Sequence, residues 1–174
     1  MLALARAAIV GKFTASSGGI PGPEPACFSM RRGLFVTVHV GGKLRGCIGV
    51  IEGRDTLREG IIHCAESAAF HDLRFSSLQP EEIADLQIEI SILSELTPIS
   101  PDSIEIGKHG LLVDAGSHRG LLLPQVAVEH QLSREQFLEE TCRKAALPRD
   151  AWRREGTRLF GFTCEIFQED ARPG

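Results

Sequence analysis

Cys47 stands between two glycines in Lys43-Leu44-Arg45-Gly46-Cys47-Ile48-Gly49, where a thiol, a guanidinium and two positions without side chains crowd together. Glycine inside a β-like run weakens it and marks a bulge or a close approach of backbone. A thiol held beside approachable amides can bind or attack an anionic or carbonyl-bearing ligand. The plainer reading is a small buried cysteine with a helix packed tightly above it, since cysteine is among the most buried residue types.

The run follows the alternating stretch Gly33-Leu34-Phe35-Val36-Thr37-Val38-His39-Val40 and the pair Gly41-Gly42, the sequence form of a two-residue β-hairpin. With a regular ladder, Val40 faces Lys43, Val38 faces Arg45 and Val36 faces Cys47. Arg45 and Cys47 then share a face, and a neighbouring guanidinium lowers a thiol pKa. His39 falls on the other face with Thr37, Leu44 and Ile48, so any base for Cys47 comes from elsewhere. A bulge or a one-residue slip would reverse these assignments. Gly41-Gly42-Lys43 lacks the spacing and following helix of a phosphate-binding loop.

The remaining chain supplies the elements that position this hairpin. The 174 residues suit one domain or two small packed halves, and 43% hydrophobic with 24% charged residues is a soluble globular profile. Apolar runs fall short of the roughly 18 residues of a membrane span. Met1 to Val10 has no basic start and is interrupted by Arg6, so it reads as a first amphipathic helix, to about residue 15, and not as a leader. Cysteines at 27, 47, 64, 142 and 164 are odd in number and show no Cys-x-x-Cys spacing. That argues against a disulfide framework and a structural zinc site, and for a cytoplasmic protein. A net charge of −4 weighs against broad nucleic-acid binding. Arg149, Arg153, Arg154 and Arg158 interleave with Asp150 and Glu155 as a solvated charged face.

Ser16 to Arg32, rich in glycine and proline, reads as a long loop. Asp55 is placed to cap a helix with Leu57, Ile61, Cys64, Ala65 and Ala68 on one face. His71-Asp72-Leu73-Arg74-Phe75 ends it. Asp72 and Arg74 there are either site residues or a loop-bracing ion pair. Pro80 opens a helical turn. Leu86 to Leu93 alternates as a strand, with Gln87, Glu89 and Ser91 on its polar face. Ser103 to Ile106 reads as a short strand. Leu111-Leu112-Val113 and Gly120 to Leu123 form a second hairpin ended by Pro124. One or two helices follow, the latter with the capping-box pattern Ser133…Gln136. A turn holds Trp152, and Leu159 to Phe167 is the last strand.

Hairpin, helix and strand thus occur twice. Gly33-Leu34-Phe35-Val36 finds a counterpart 77 positions on in Gly110-Leu111-Leu112-Val113, and Ile88-Glu89-Ile90 finds one 76 positions on in Cys164-Glu165-Ile166. The expected fold is α+β: a largely antiparallel sheet with flanking helices, built from two related hairpin-helix-strand halves. It forms one domain over 1–174, with halves at roughly 1–96 and 97–174. The second hairpin lacks Arg-Gly-Cys, so the halves are chemically unequal.

Leu44-Arg45-Gly46-Cys47-Ile48-Gly49 resembles the signature hexapeptide of the AMMECR domain family, whose prokaryotic members are called AmmeMemoRadiSam system protein A. The similarity extends to Gly33 to Thr37, Asp72 to Phe75, Glu89 to Ser94, Gly107-Lys108-His109-Gly110-Leu111, Leu122 to Ala127, Phe137 to Pro148 and Trp152, in the family's order and over essentially the whole chain. The chain departs from the family pattern at Ala146 (commonly Gly), Leu132 (often Trp) and Leu73 (commonly Pro).

The resemblance implies an α+β fold of two related halves and the company of a Memo-type protein and a radical-SAM enzyme, but it brings no settled reaction. One expectation is a cysteine-dependent enzyme acting on a small molecule or modified metabolite. Cys47 would be the nucleophile, Arg45 or backbone amides would stabilise a thiolate or oxyanion, and Glu89 or His109 would do the acid–base work. The alternative is a non-catalytic binding or adaptor module, with Gly46, Gly49, Asp72, Arg74 and Gln125 contacting a ligand or the Memo-type partner. No metal or cofactor is implied by either reading. A nucleic-acid binder is the weakest, resting on the arginine cluster alone.

Overall fold

The computed structural model describes residues 1–14 and 25–170, so most of the expected glycine- and proline-rich loop, at 15–24, lies outside the described residues. The chain forms two compact units, Met1–Ile92 with Glu165–Gly174, and Leu93–Cys164.

In the first unit, helix α1 (Leu2–Gly11) precedes the hairpin of β1 (Leu34–Val40) and β2 (Lys43–Val50). Gly41 and Gly42 have φ of 56° and 74°, the left-handed pair that a tight hairpin turn needs. Helix α2 (Leu57–Phe70) follows. Its cap is Thr56, not Asp55: the Thr56 hydroxyl accepts the Glu59 N–H while the Glu59 carboxylate accepts the Thr56 N–H. This is the Thr-x-x-Glu capping box, which offsets two orphan donors where a lone Asp would offset one. The expected face of α2, from Leu57 through Ala68, is buried. After a 3-10 turn at Pro80–Asp85, β3 (Leu86–Leu93) pairs antiparallel with β1. One face of the sheet carries Val36, Val38, Ile88 and Ile90 into a core shared with Leu4 and Ile9 of α1 and Ile61, Cys64 and Ala65 of α2. By alternation the other face carries Phe35, Thr37, His39, Gln87, Glu89 and Ser91.

The second unit begins with the short strand β4 (Thr97–Pro98). The segment expected as a strand at Ser103 to Ile106 is not one. Pro101 opens a 3-10 turn (Pro101–Ser103), and the His109 N–H bonds back to the Glu105 carbonyl, so Ile104 enters the core from a turn. Proline lacks the N–H of a ladder, and of the segment's two isoleucines only Ile104 is buried while Ile106 is exposed. A hairpin of β5 (Gly110–Ala115) and β6 (His118–Leu122), helices α3 (Pro124–Glu129) and α4 (Arg134–Lys144), and strand β7 (Arg158–Phe162) complete the unit. The Ser133–Gln136 capping box forms as expected. Leu111, Val113, Ala127, Phe137, Leu138 and Cys142 make its core.

The last strand divides at Thr163 into β7 and β8 (Cys164–Gln168). The described residues form two four-stranded sheets instead of one, ordered β2-β1-β3-β8 and β4-β7-β5-β6. The related halves are plain in this order. Hairpin plus third strand reads β2-β1-β3 in one and β6-β5-β7 in the other, so Gly33 to Val36 and Gly110 to Val113 are true counterparts. The other sequence pairing needs correction: β3 corresponds to β7, whereas Cys164-Glu165-Ile166 lies in β8, a neighbour of β3. Each sheet is completed by the strand that follows the other half's third strand.

Candidate functional site

The hairpin ladder is regular for two pairs, Val40 with Lys43 and His39 with Leu44, and then shifts. Gly46 opposes Val38 and Cys47 opposes Thr37, leaving Arg45 as the extra residue of a β-bulge. The regular register is therefore overturned. Cys47 shares a face with Thr37 and His39 instead of with Arg45, and His39 is not on the opposite face. Thr37 is opposite Cys47 on one side and Glu89 on the other, which gives a cross-strand row Cys47–Thr37–Glu89 on the face away from α2. The row spans roughly 10 Å between its outer Cα atoms. The Thr37 hydroxyl donates to Cys47 Sγ at 3.4 Å.

β2 is a sheet edge. The outward backbone groups of Cys47 are met by the loop after α2. The Cys47 N–H donates to Asp72 Oδ2 at 3.0 Å, and Arg74 donates to the Cys47 carbonyl at 3.1 Å. Asp72 also accepts the Arg74 N–H at 3.1 Å and its guanidinium at 2.9 and 2.6 Å. Asp72 is buried. The Arg74 guanidinium, and then the Cys47 and Arg74 N–H groups, hold its carboxyl well below the usual range against the effect of burial. The Asp72–Arg74 pair braces its loop, and what it braces against is the peptide of Cys47. The Arg74 guanidinium also lies 5.4 Å from the Phe75 ring centre.

Arg45 turns away from the thiol. Its Nε and Nη2 bond Glu82 at 2.8 and 3.1 Å, and it also donates to the Ser76 and Ser77 carbonyls. The guanidinium acting on Cys47 is thus that of Arg74. Burial pushes the Cys47 thiol up. The Thr37 hydroxyl and Arg74 oppose this in part, while Asp72 and Glu89 add to it. At neutral pH the group is a neutral thiol.

The glycines flanking Cys47 have packing roles. A Cβ on Gly46 would lie 1.9 Å from the Ala68 carbonyl oxygen of α2, and one on Gly49 would lie 2.3 Å from the Phe35 ring and 2.4 Å from the Leu34 carbonyl oxygen. The space at both is filled by this chain's own atoms. His109 and Gln125 belong to the second unit. His109 Nδ1 accepts the Glu105 N–H at 3.0 Å, and Gln125 is half-buried in the first turn of α3. Arg149, Arg153, Arg154 and Arg158 are paired with Glu139 and Glu140, Glu135, Asp150 and Asp114 respectively. Among the described residues, no three His, Cys, Asp or Glu side chains are grouped to hold a metal ion, and no helix is long and apolar enough to cross a membrane.

The AMMECR1 family model matches residues 2–167, and its span takes in the hairpin, the bulge, Asp72–Arg74 and the second unit. The chain belongs to the AMMECR1 family. It is 43% identical over 158 residues to a protein of Methanothermobacter thermautotrophicus (87% of this chain, 82% of that one). It is 37% identical to one of Aquifex aeolicus (95% and 89%). The crystal structure of an uncharacterized protein from Pyrococcus horikoshii is similar with a TM-score of 0.90 at 37% identity, covering 98% of this chain and 90% of that one.

In this AMMECR1-family chain, sequence reasoning missed Thr37 as the residue against the thiol and Arg74 as its cationic neighbour. Alternation puts Thr37 on the polar face of β1. Only the bulge brings Cys47 to that face.

Proposed function

We propose that this AMMECR1-family chain is a binding module whose contact surface is the Cys47–Thr37–Glu89 face of the first sheet, and that it holds a ligand or a Memo-type partner protein there. The observation that carries this reading is the state of Cys47. Burial keeps it a neutral thiol, its Sγ is met by a hydroxyl, and Arg45 and Arg74 are both engaged with carboxylates. A neutral thiol, a hydroxyl and a carboxylate in one row suit a partner that presents N–H or O–H donors and a small apolar contact. Arg45 and Arg74 in this reading shape the edge strand and are not the contacts for an anion.

The test is titration calorimetry of the full chain with the Memo-type protein of the same organism, using Cys47→Ser, Thr37→Val and Glu89→Gln. The binding reading expects Cys47→Ser to retain affinity within about threefold and the double variant Thr37→Val/Glu89→Gln to lose at least about tenfold, the equivalent of one to two hydrogen bonds. Unchanged binding by the double variant, with its fold intact by circular dichroism, overturns it.

One observation favours the cysteine-dependent enzyme as a second reading: Thr37 stands in register between the thiol and Glu89. On ligand binding, the Thr37 hydroxyl would turn its proton from Sγ, where it points in this structure, to the Glu89 carboxylate, and the Cys47 S–H proton would pass to Thr37 Oγ1 as the hydroxyl proton passes to Glu89, leaving a thiolate. Turnover of a metabolite that vanishes in Cys47→Ser supports this reading. Turnover that survives in Cys47→Ser removes it.

A further inference from the structure

The second unit holds a cavity of about 700 Å³ that no part of the Cys47 site uses. Its volume falls in the range of small-molecule sites. Leu122 at the end of β6, Val126 of α3 and Leu132 before α4 supply an apolar floor, and all three are only half-buried. Half-exposed aliphatic side chains converging on one concavity are what an apolar ligand body covers.

The other walls are polar and unequal in charge. Glu140 and Arg143 are an ion pair at 2.6 Å on one face of α4, and Arg149 lies 3.6 Å from the same Glu140. Lys144, one residue on, meets no carboxylate within ion-pair distance among the described residues, and the His130 ring stands on the α3 side. Arg143 and Lys144 against Glu140 leave the lining with one net positive charge. The negative end of α4 does not absorb it, because the Ala146 and Leu147 N–H groups already take the Arg143 and Cys142 carbonyls.

We propose that this cavity binds a small amphipathic monoanion, a carboxylate on an aliphatic or aromatic body. The body lies on Leu122, Val126 and Leu132, and the carboxylate is held by Lys144, with Arg143 and a His130 N–H in support. One net positive charge fits a singly charged group better than a phosphate dianion. The apolar floor selects against small inorganic anions.

Octanoate is the probe, titrated calorimetrically into the full chain beside octanol, octylamine and inorganic phosphate. Octanoate saturates one site with a Kd below about 1 mM, and octanol, octylamine and phosphate bind at least about tenfold more weakly. Lys144→Glu, an exposed substitution, lowers octanoate affinity at least about tenfold and lets octylamine bind, since the lining becomes net negative. Lys43→Glu makes the same change of charge on the first hairpin and leaves octanoate affinity unaltered. Val126→Trp fills the floor and removes binding, with folding checked by circular dichroism. The proposal is overturned if octanoate shows no saturable binding, if phosphate binds as tightly, or if Lys144→Glu and Lys43→Glu act alike.

Discussion

Gly46→Ala separates a glycine that packs from a glycine that presents backbone to a ligand. The added Cβ would sit 1.9 Å from the Ala68 carbonyl oxygen, where ordinary contact begins near 3.4 Å. Helix α2 or strand β2 must therefore move by about 1.5 Å, because the obstacle is backbone and no rotamer relieves it. Overpacking costs about 1–3 kcal/mol, and a main-chain obstacle places this case near the upper end. For a chain of this size that lowers Tm by about 6–12 °C. Gly42→Ala is the control. It meets nothing within 4 Å but has φ of +74°, so it costs the left-handed penalty alone, about 1 kcal/mol or about 3 °C. Thermal unfolding followed by far-UV circular dichroism measures both, and amide exchange at Cys47 reports whether its bond to Asp72 loosens as α2 shifts. A Gly46→Ala melting point within about 2 °C of the parent, or no lower than that of Gly42→Ala, refutes the packing account.

Three further outcomes are expected. Alkylation of native Cys47, followed by peptide mass spectrometry, has its pH midpoint above the ordinary thiol value of about 8.5, and Thr37→Val raises it further by removing the hydroxyl that favours the thiolate. Because the Asp72 carboxyl is depressed in the folded chain, its stabilisation is complete above its unfolded value of about 4 and drains away as pH falls toward the folded one. Asp72→Asn should lower stability at pH 7 by about 2 kcal/mol, with Arg74 more than half exposed limiting the loss, and should flatten the acid limb of a urea-denaturation series. Ala146→Gly should stabilise the chain by about 1 kcal/mol, raising Tm by about 2–4 °C, since Ala146 has φ of +57° and glycine relieves more strain than it adds in unfolded-state entropy.

The elements that announce themselves through strong local chemistry were legible from residue types. Gly41-Gly42 fixes a hairpin because few other pairs take two positive φ values, and Leu86 to Leu93 alternates because one face meets a core. The α2 cap shifted by one residue because Asp55 is a good single cap while Thr56 is half of a reciprocal one. The helical region after Pro124 shows no firm division in its residue types because its stops are unusual. Both α3 and α4 end in reciprocal bonds closed by a left-handed residue that is not glycine. Gln131 (φ 51°) stands between the Val128 and Ala127 carbonyl bonds, and Ala146 stands in the same place after α4. Without glycine at those positions the sequence gives little warning of the stop. The division of the final strand at Thr163 is hidden for a different reason: Leu159 to Phe167 has no proline and no turn pair to break it, and only pairing decides that its two parts belong to different sheets.

The bulge at Arg45 has the widest consequence, because one extra residue reassigns every side chain beyond it. Nothing in Leu44-Arg45-Gly46 requires it by composition. What favours it is long-range: Gly46 must face α2, where only hydrogen fits beneath the Ala68 carbonyl, and Arg45 must reach Glu82 and the carbonyls of Ser76 and Ser77. Both demands come from residues distant in sequence. The same displacement frees the edge of Cys47 for Asp72 and Arg74, so the ion pair that looked like simple loop bracing also fixes the peptide carrying the thiol. Thiol and ion pair are therefore coupled. Replacing Asp72 by Asn removes a nearby negative charge that raises the Cys47 thiol, but it also releases Arg74, whose charge lowers it, and unties the Cys47 N–H. If the edge strand keeps its place and Arg74 stays on the Cys47 carbonyl, loss of the carboxylate moves the alkylation midpoint of Cys47 downward. If the strand loosens and Cys47 becomes solvated, the midpoint also falls, but Cys47 amide exchange then accelerates with it. Measuring both on Asp72→Asn distinguishes an electrostatic role for the pair from a positioning one.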